Sequence, residues 1–295
     1  APEKADKIPS TLNWDLFTGP AKVRPYNKIY HPWNWRGWWD YGTGALGDMA
    51  CHIMQPVFTA LKLGYPTKVQ GSSTLLLADC APNAQHVRMI FPARDNMPKV
   101  ALPEVEVHWY DGGMMPDRPE GFPEGKELMG PGGGLCIFHG TKDTLICGCY
   151  GQKPWLLSGR VPNAPQVCRR VENAMGGGHE QDWIRACKES ASSRVLTKSD
   201  FSVSGPMNEM VVMGVLAIRL QTLNKELLWD GINMKFTNIG DNEEIKIIKK
   251  DDFKIVDGDP KFNKIWTDPV SAKEFAAELI KHNYREGWKL PDMPR

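Results

Sequence analysis

The chain has 295 residues, of which 41% are apolar, and a formal charge of +1 from 36 basic and 35 acidic side chains. That length holds one large or two ordinary domains with a full core. The near-neutral balance excludes a surface built for nucleic acid or an anionic membrane, either of which needs clustered Lys and Arg.

Residues 1–10 read as a polar lead-in, and Leu12 to Tyr30 as an irregular, Pro- and aromatic-rich wrap with a single helical turn. Thr43 to Leu63 is expected to be a helix, stopped by Gly64 and Pro66 and kinked at Pro56. Six short segments then alternate or are β-branched: Lys68–Ala78, His86–Phe91, Glu104–Tyr110, Leu135–Gly140, Thr144–Tyr150 and Pro154–Leu157. No strand–helix alternation separates them, so a mostly antiparallel sheet is predicted, with Gly140 to Asp143 as a hairpin turn. The stretches 92–103 and 112–134 are long loops rich in Pro and Gly. Helices are predicted at Glu180–Glu189, Pro206–Leu223 and Ser271–His282, the second apolar nearly all round and therefore buried. Residues 239–264 are charged and read as an exposed hairpin. The longest apolar run, Met210–Ile218, is far short of a membrane span, so no membrane partner is expected. Seven scattered cysteines contain no C-x-x-C; they read as buried free thiols and leave the compartment open.

The segment Trp33 to Leu63 carries most of the chemistry. Gly42-Thr43-Gly44-Ala45-Leu46-Gly47 spells the dinucleotide fingerprint G-x-G-x-x-G. The fingerprint requires a buried strand ahead of it and an acid about 20 residues on. Here Arg36 to Tyr41 precedes it and Leu63-Gly64-Tyr65-Pro66 follows, so no nucleotide is expected to bind this chain alone. Asp48 and His52 stand four residues apart, hence on one helix face. Such a pair serves either as a proton-handling couple or as a satisfied structural hydrogen bond. Arg36 with Trp33, Trp35, Trp38 and Trp39 leads into that helix. Indole faces stack on sugar rings and a guanidinium fixes hydroxyl or carboxylate groups, although some of these tryptophans are expected in the core. His179, after Gly176 to Gly178, opens a predicted helix and faces either a ligand or an ordinary capping turn. Tyr26, Tyr30 and His31 lie in the irregular segment within reach of a ligand. His86, His108 and His139 read as sheet-face histidines, and no spacing supports a metal site.

Taken in order, Arg36, Gly42 to Asp48 and His52 resemble the G-G-G-x-x-x-D-x-G-x-H motif of the Gfo/Idh/MocA (glucose–fructose oxidoreductase / inositol dehydrogenase / MocA) family. The resemblance extends through Leu12 to Asp15, Gly19-Pro20, His179, Asp182 to Lys188, Glu209 to Leu220, Leu228 to Asp230 and Tyr284 to Trp288, and is similar to a Bacteroidetes-like branch. It implies a two-domain NAD(P)-dependent oxidoreductase, with this chain as its C-terminal domain. That domain is an α+β fold with an open, mostly antiparallel sheet and helices on one face. The N-terminal Rossmann domain and the Glu-Lys-Pro motif with its lysine are absent from the sequence. The chain begins at Ala1, so processing or truncation is expected, and any export signal lies upstream of it; cytoplasm and periplasm both stay open. By the resemblance, Asp48 and His52 are catalytic and Arg36 faces substrate; Trp38, His179 and Tyr30 are the further substrate-binding candidates. The implied cofactor is NAD or NADP in the full-length enzyme. The implied partners are a small sugar or polyol and a second copy of the chain, in a homo-oligomer through the open sheet face. Gln55 stands where the family has Asp, and Ala50 where it has Gly. The expected activity is oxidation or reduction of a secondary hydroxyl. An NAD-dependent glycosidase of the same superfamily and a non-catalytic carbohydrate-binding domain are the alternatives.

Overall fold

Alternation between apolar and polar residues builds the main sheet. In the computed structural model, which describes residues 1–2, 4–95, 103–130, 132–161 and 178–289, three neighbouring strands form from it. They are β1 (Lys68–Ser73), β2 (Gln85–Phe91) and β3 (Val105–Asp111). Val69, Val87, Met89, Phe91, Val107 and Trp109 point to one face and are buried. Lys68, His86, Arg88, Glu106, His108 and Tyr110 occupy the other. The hairpin of β4 (Leu135–His139) and β5 (Thr144–Gly148), with β6 (Trp155–Leu156), makes a separate three-stranded sheet. Among the described residues every strand ladder is antiparallel, and one isolated bridge, Leu77 to Ile248, is parallel.

Among the described residues three α-helices precede these strands and three follow them. They are α1 (Trp14–Thr18), α2 (Gly44–Ile53), α3 (Gln55–Ala60), α4 (Gly178–Lys188), α5 (Phe201–Arg219) and, near the end, α6 (Ala272–Ile280). The remaining strands are β7 (Leu227–Asp230), β8 (Lys235–Phe236), β9 (Glu244–Ile245), β10 (Ile248–Val256), β11 (Asp259–Trp266) and β12 (Val270–Ser271). The main sheet runs in the order β3-β2-β1-β7-β8.

Two sequence expectations change in detail. The helix predicted over 43–63 breaks at Met54, because Pro56 cannot donate a backbone bond and sits in the first turn of α3 instead. The six predicted strands do not share one sheet: after β3 the chain crosses to α2, where β4–β6 pack, and β7 and β8 complete the first sheet. Gly176, Gly177, Cys168 and residues 96–102 of the predicted loop lie outside the described residues.

Helix α5 lies along β1 and β2, and α2 packs beside it and reaches β3, so both helices cover one face of the main sheet. Gly71 permits the close approach of α5: a Cβ there would stand 2.8 Å from the backbone of Ala217 and Ile218. Gly214 of α5 leaves room for Leu46 of α2 and Met89 of β2 to meet over it. Helix α5 is also long and apolar enough to cross a membrane by length and composition, with a mean hydropathy of 1.4. Its Met210, Val211, Val215, Ala217 and Ile218 are buried in the core with Leu46 and Val69, which accounts for that apolarity.

Candidate functional site

The approach to α2 is a tight fold of backbone. Trp33 precedes a 3-10 turn over Asn34–Gly37. The Trp38 carbonyl then accepts from the backbone N–H groups of Tyr41 and Gly42 at 2.9 and 2.7 Å. The glycines of the fingerprint-like run are explained by this packing. A Cβ on Gly42 would collide with the Arg36 backbone, and one on Gly47 with the Thr43 side chain. Gly44 has φ +70° and lies against Ala81. A 3-10 turn, an isolated bridge at Trp38 and a further turn precede α2 in place of a strand. These residues therefore do not fit a dinucleotide.

Asp48 and His52 share the outer face of α2, but no hydrogen bond joins them among the described residues. Asp48 pairs with arginine instead: Arg36 Nε donates to Asp48 Oδ2 at 3.1 Å. The pair is open to solvent, with side-chain exposures of 32% for Arg36 and 42% for Asp48. The Arg36 guanidinium lies 3.8 Å from the Trp33 ring centroid and 5.3 Å from that of Trp35. His52, half-buried in the last turn, has Tyr150 beside it at 5.4 Å between ring centroids. Tyr150 has φ +59° and is exposed. Sequence reasoning missed it; the Tyr150-Gly151 pair ending a strand was the available signal.

The C-terminal end of α2 is held by thiols from the small sheet. Cys136 Sγ donates to the Ile53 carbonyl at 2.9 Å, and Cys149 Sγ reaches the His52 carbonyl at 3.8 Å. These satisfy carbonyls that a helix end leaves without intrahelical partners. The hydrogen bond with Cys147, and then burial, push the Cys136 thiol far up. Burial, with Asp48 nearby, also raises Cys51. Both therefore stay protonated and serve as packing groups and weak donors.

The other expected ligand residues are placed apart from this group. Tyr30 is 2% exposed inside an aromatic cluster with Trp14 and Tyr26. Trp38 packs edge-on to it at 4.9 Å. His31 meets Phe17 at 5.3 Å. His179 is exposed in the first turn of α4, and among the described residues no hydrogen bond or ring contact joins it to Arg36, Asp48 or His52. On the open sheet face, His86 Nε2 and His108 Nδ1 are 2.8 Å apart, and His108 Nε2 is 2.5 Å from Glu106. Among the described residues no group of three His, Cys, Asp or Glu side chains forms a cation site. Two surface clefts, of about 640 and 410 Å³, lie against Leu12–Asp15 and against Asp79 with Lys249; neither is lined by the α2 residues. Among the described residues the Arg36–Asp48 pair lies on a solvent-open face of α2.

Residues 2–85 match the family model described as "Oxidoreductase family, C-terminal alpha/beta domain" of Gfo/Idh/MocA proteins. Over this stretch the chain is similar to the C-terminal domain of the Gfo/Idh/MocA oxidoreductases. The match contains Arg36, Asp48 and His52 and ends at the first residue of β2. The antiparallel α+β architecture agrees with that domain, and the family is in general NAD(P)-dependent. A comparison with curated proteins finds no match.

Proposed function

We propose that the exposed face of α2 is the substrate-binding and proton-transferring half of an NAD(P)-dependent oxidoreductase acting on a secondary hydroxyl of a sugar or polyol. The observation that carries this reading is the solvent-open Arg36–Asp48 pair one helical turn from His52. An exposed ion pair contributes only about 0–1 kcal/mol to stability. Its Arg and Asp are instead free to exchange water for ligand hydroxyls, Arg donating and Asp accepting. Trp33 adds a flat apolar wall beside Arg36. His52, not hydrogen-bonded to Asp48, keeps its ring available to take the hydroxyl proton. The oxidation belongs to the family's cofactor, for which the glycine turn of this chain offers no cradle.

The test is steady-state kinetics on the full-length protein, following NAD(P)H with a panel of sugars and polyols. His52→Ala is expected to lower kcat by roughly 10²–10⁴-fold with the circular dichroism spectrum unchanged. Arg36→Ala is expected to raise KM more than it lowers kcat. Near-normal kcat in His52→Ala would overturn the reading. Sugar cleavage without net NAD(P)H would replace the dehydrogenase with the glycosidase.

A further inference from the structure

Strands β10 and β11 pair with each other and form an arm away from the main sheet. Backbone hydrogen bonds tie down its base. Ala78 N–H donates to the Ile248 carbonyl at 2.9 Å and Thr267 N–H to the Ile247 carbonyl at 2.8 Å. Among the described residues no strand pairs with either outer edge beyond that point. The arm nevertheless exposes large apolar groups: Phe253 is 57% exposed, Ile255 68% and Phe262 74%. A lone two-stranded ribbon is marginal in water, and an unpaired edge of this kind is a template for another strand.

The backbone decides which edge is competent. Asp257 and Gly258 both have positive φ and form a two-residue turn, so Val256 and Asp259 are a hydrogen-bonded pair. Alternation along the ladder then turns the backbone groups of Asp252 and Lys254 toward β11, and those of Asp251, Phe253 and Ile255 outward. On β11 the outward set includes Pro260, which has no N–H to give. The β10 edge has its full set of donors.

We propose that two copies of this chain associate by antiparallel pairing of β10 with β10 about a two-fold axis centred on Phe253. In that register Asp252 of each copy faces Lys254 of the other, two opposite-charge pairs with no like-charge pair against them. Centring on Asp251 would instead set two carboxylates face to face, which is destabilising. The register also lines up the apolar face. Phe253 already packs on Phe262 across the hairpin, with ring centroids 5.2 Å apart. Pairing joins these to their copies in one row across four strands. A two-fold contact uses the same patch twice, as this self-complementary sequence allows. The inference is independent of the substrate reading.

Sedimentation velocity on the full-length protein across a wide dilution series tests it. The unaltered protein is expected to dimerise. Asp252→Lys is expected to weaken the dimer roughly tenfold or more by opposing lysines across the axis. The swap of Asp252→Lys with Lys254→Asp is expected to restore it. Phe253→Pro removes an outward N–H that the hairpin itself does not use, so it should abolish the dimer without changing the spectrum of the fold. A protein that stays monomeric throughout would overturn the proposal. So would self-association that none of these substitutions alters.

Discussion

Gly71→Ala isolates the contact on which the helical layer rests. Gly71 is not among the residues of positive φ, so alanine brings no backbone strain of its own. The cost is steric. The added Cβ would stand 2.8 Å from Ala217 C and Ile218 N and 3.0 Å from Ala217 O. Carbon contacts settle at about 3.5–4.0 Å, so α5 or β1 must give by roughly 0.7 Å. These are backbone atoms of a buried helix and cannot rotate away. Overpacking of this kind costs about 1–3 kcal/mol. Loss of glycine's freedom in the unfolded chain offsets about 0.4–1 kcal/mol of that. The net expectation is a loss of roughly 1–2 kcal/mol. With an unfolding entropy of about 2.1 cal/mol/K per residue, the melting temperature should fall by about 2–3 °C. Gly214→Ala is the comparison, because its added Cβ meets only the side-chain ends of Leu46 and Met89 and gains helix propensity. Gly64→Ala, with nothing within 4 Å, is the control. Urea unfolding monitored by circular dichroism should rank Gly71→Ala as the most damaging of the three. A Gly71→Ala protein within about 0.5 kcal/mol of the parent would refute the packing argument.

Two further outcomes are expected. Arg285 Nε donates to the Gly19 carbonyl at 2.6 Å and its Nη2 to Asp15 Oδ1 at 2.7 Å, so Arg285→Ala should cost about 1–3 kcal/mol; hydrogen exchange should speed up over 284–288, and unchanged protection there would refute the docking role. Burial, and then His108, hold His86 below its ordinary 6.5, so the unfolded chain takes up the proton first and stability should fall as pH drops from about 6.5; His86→Gln should flatten that part of a stability–pH curve, and an unchanged slope would refute it.

Much of the fold was legible because periodicity reports burial directly. Strand residues Val87, Met89 and Phe91 alternate with His86 and Arg88, and the structure buries the first set only. The division into two sheets was not legible. Strand alternation says which way side chains point but nothing about which strand lies alongside, and β7 joins β1 from far along the chain. Several runs singled out by resemblance meet in space. Trp229 Nε1 donates to Glu209 at 2.7 Å, and Arg285 reaches Asp15. These pairings hold the fold together, so these runs speak first to architecture.

The site was legible only in part, for a related reason. Helical spacing set Asp48 and His52 on one face, but spacing cannot tell which neighbour a carboxylate chooses. Arg36, turned back by the bend at Trp38, claims Asp48. Tyr30 and Trp38 illustrate the ambiguity of aromatic residues, which serve a core and a ligand wall equally well in sequence. What the structure adds is the contrast between the two sides of α2. Its inner side is fixed by Leu46 over Gly214, and its last carbonyls by Cys136 and Cys149. Its outer side is open and carries an ion pair, a histidine without a hydrogen bond to Asp48, and exposed rings. A purely structural Asp–His pair would be hydrogen-bonded and withdrawn from water, since burial without a partner is costly. Rigid anchoring beneath a solvent-open polar face is the arrangement that preorganised catalytic groups need. It favours a half-site completed by substrate and by surfaces outside α2 over a helix that merely packs.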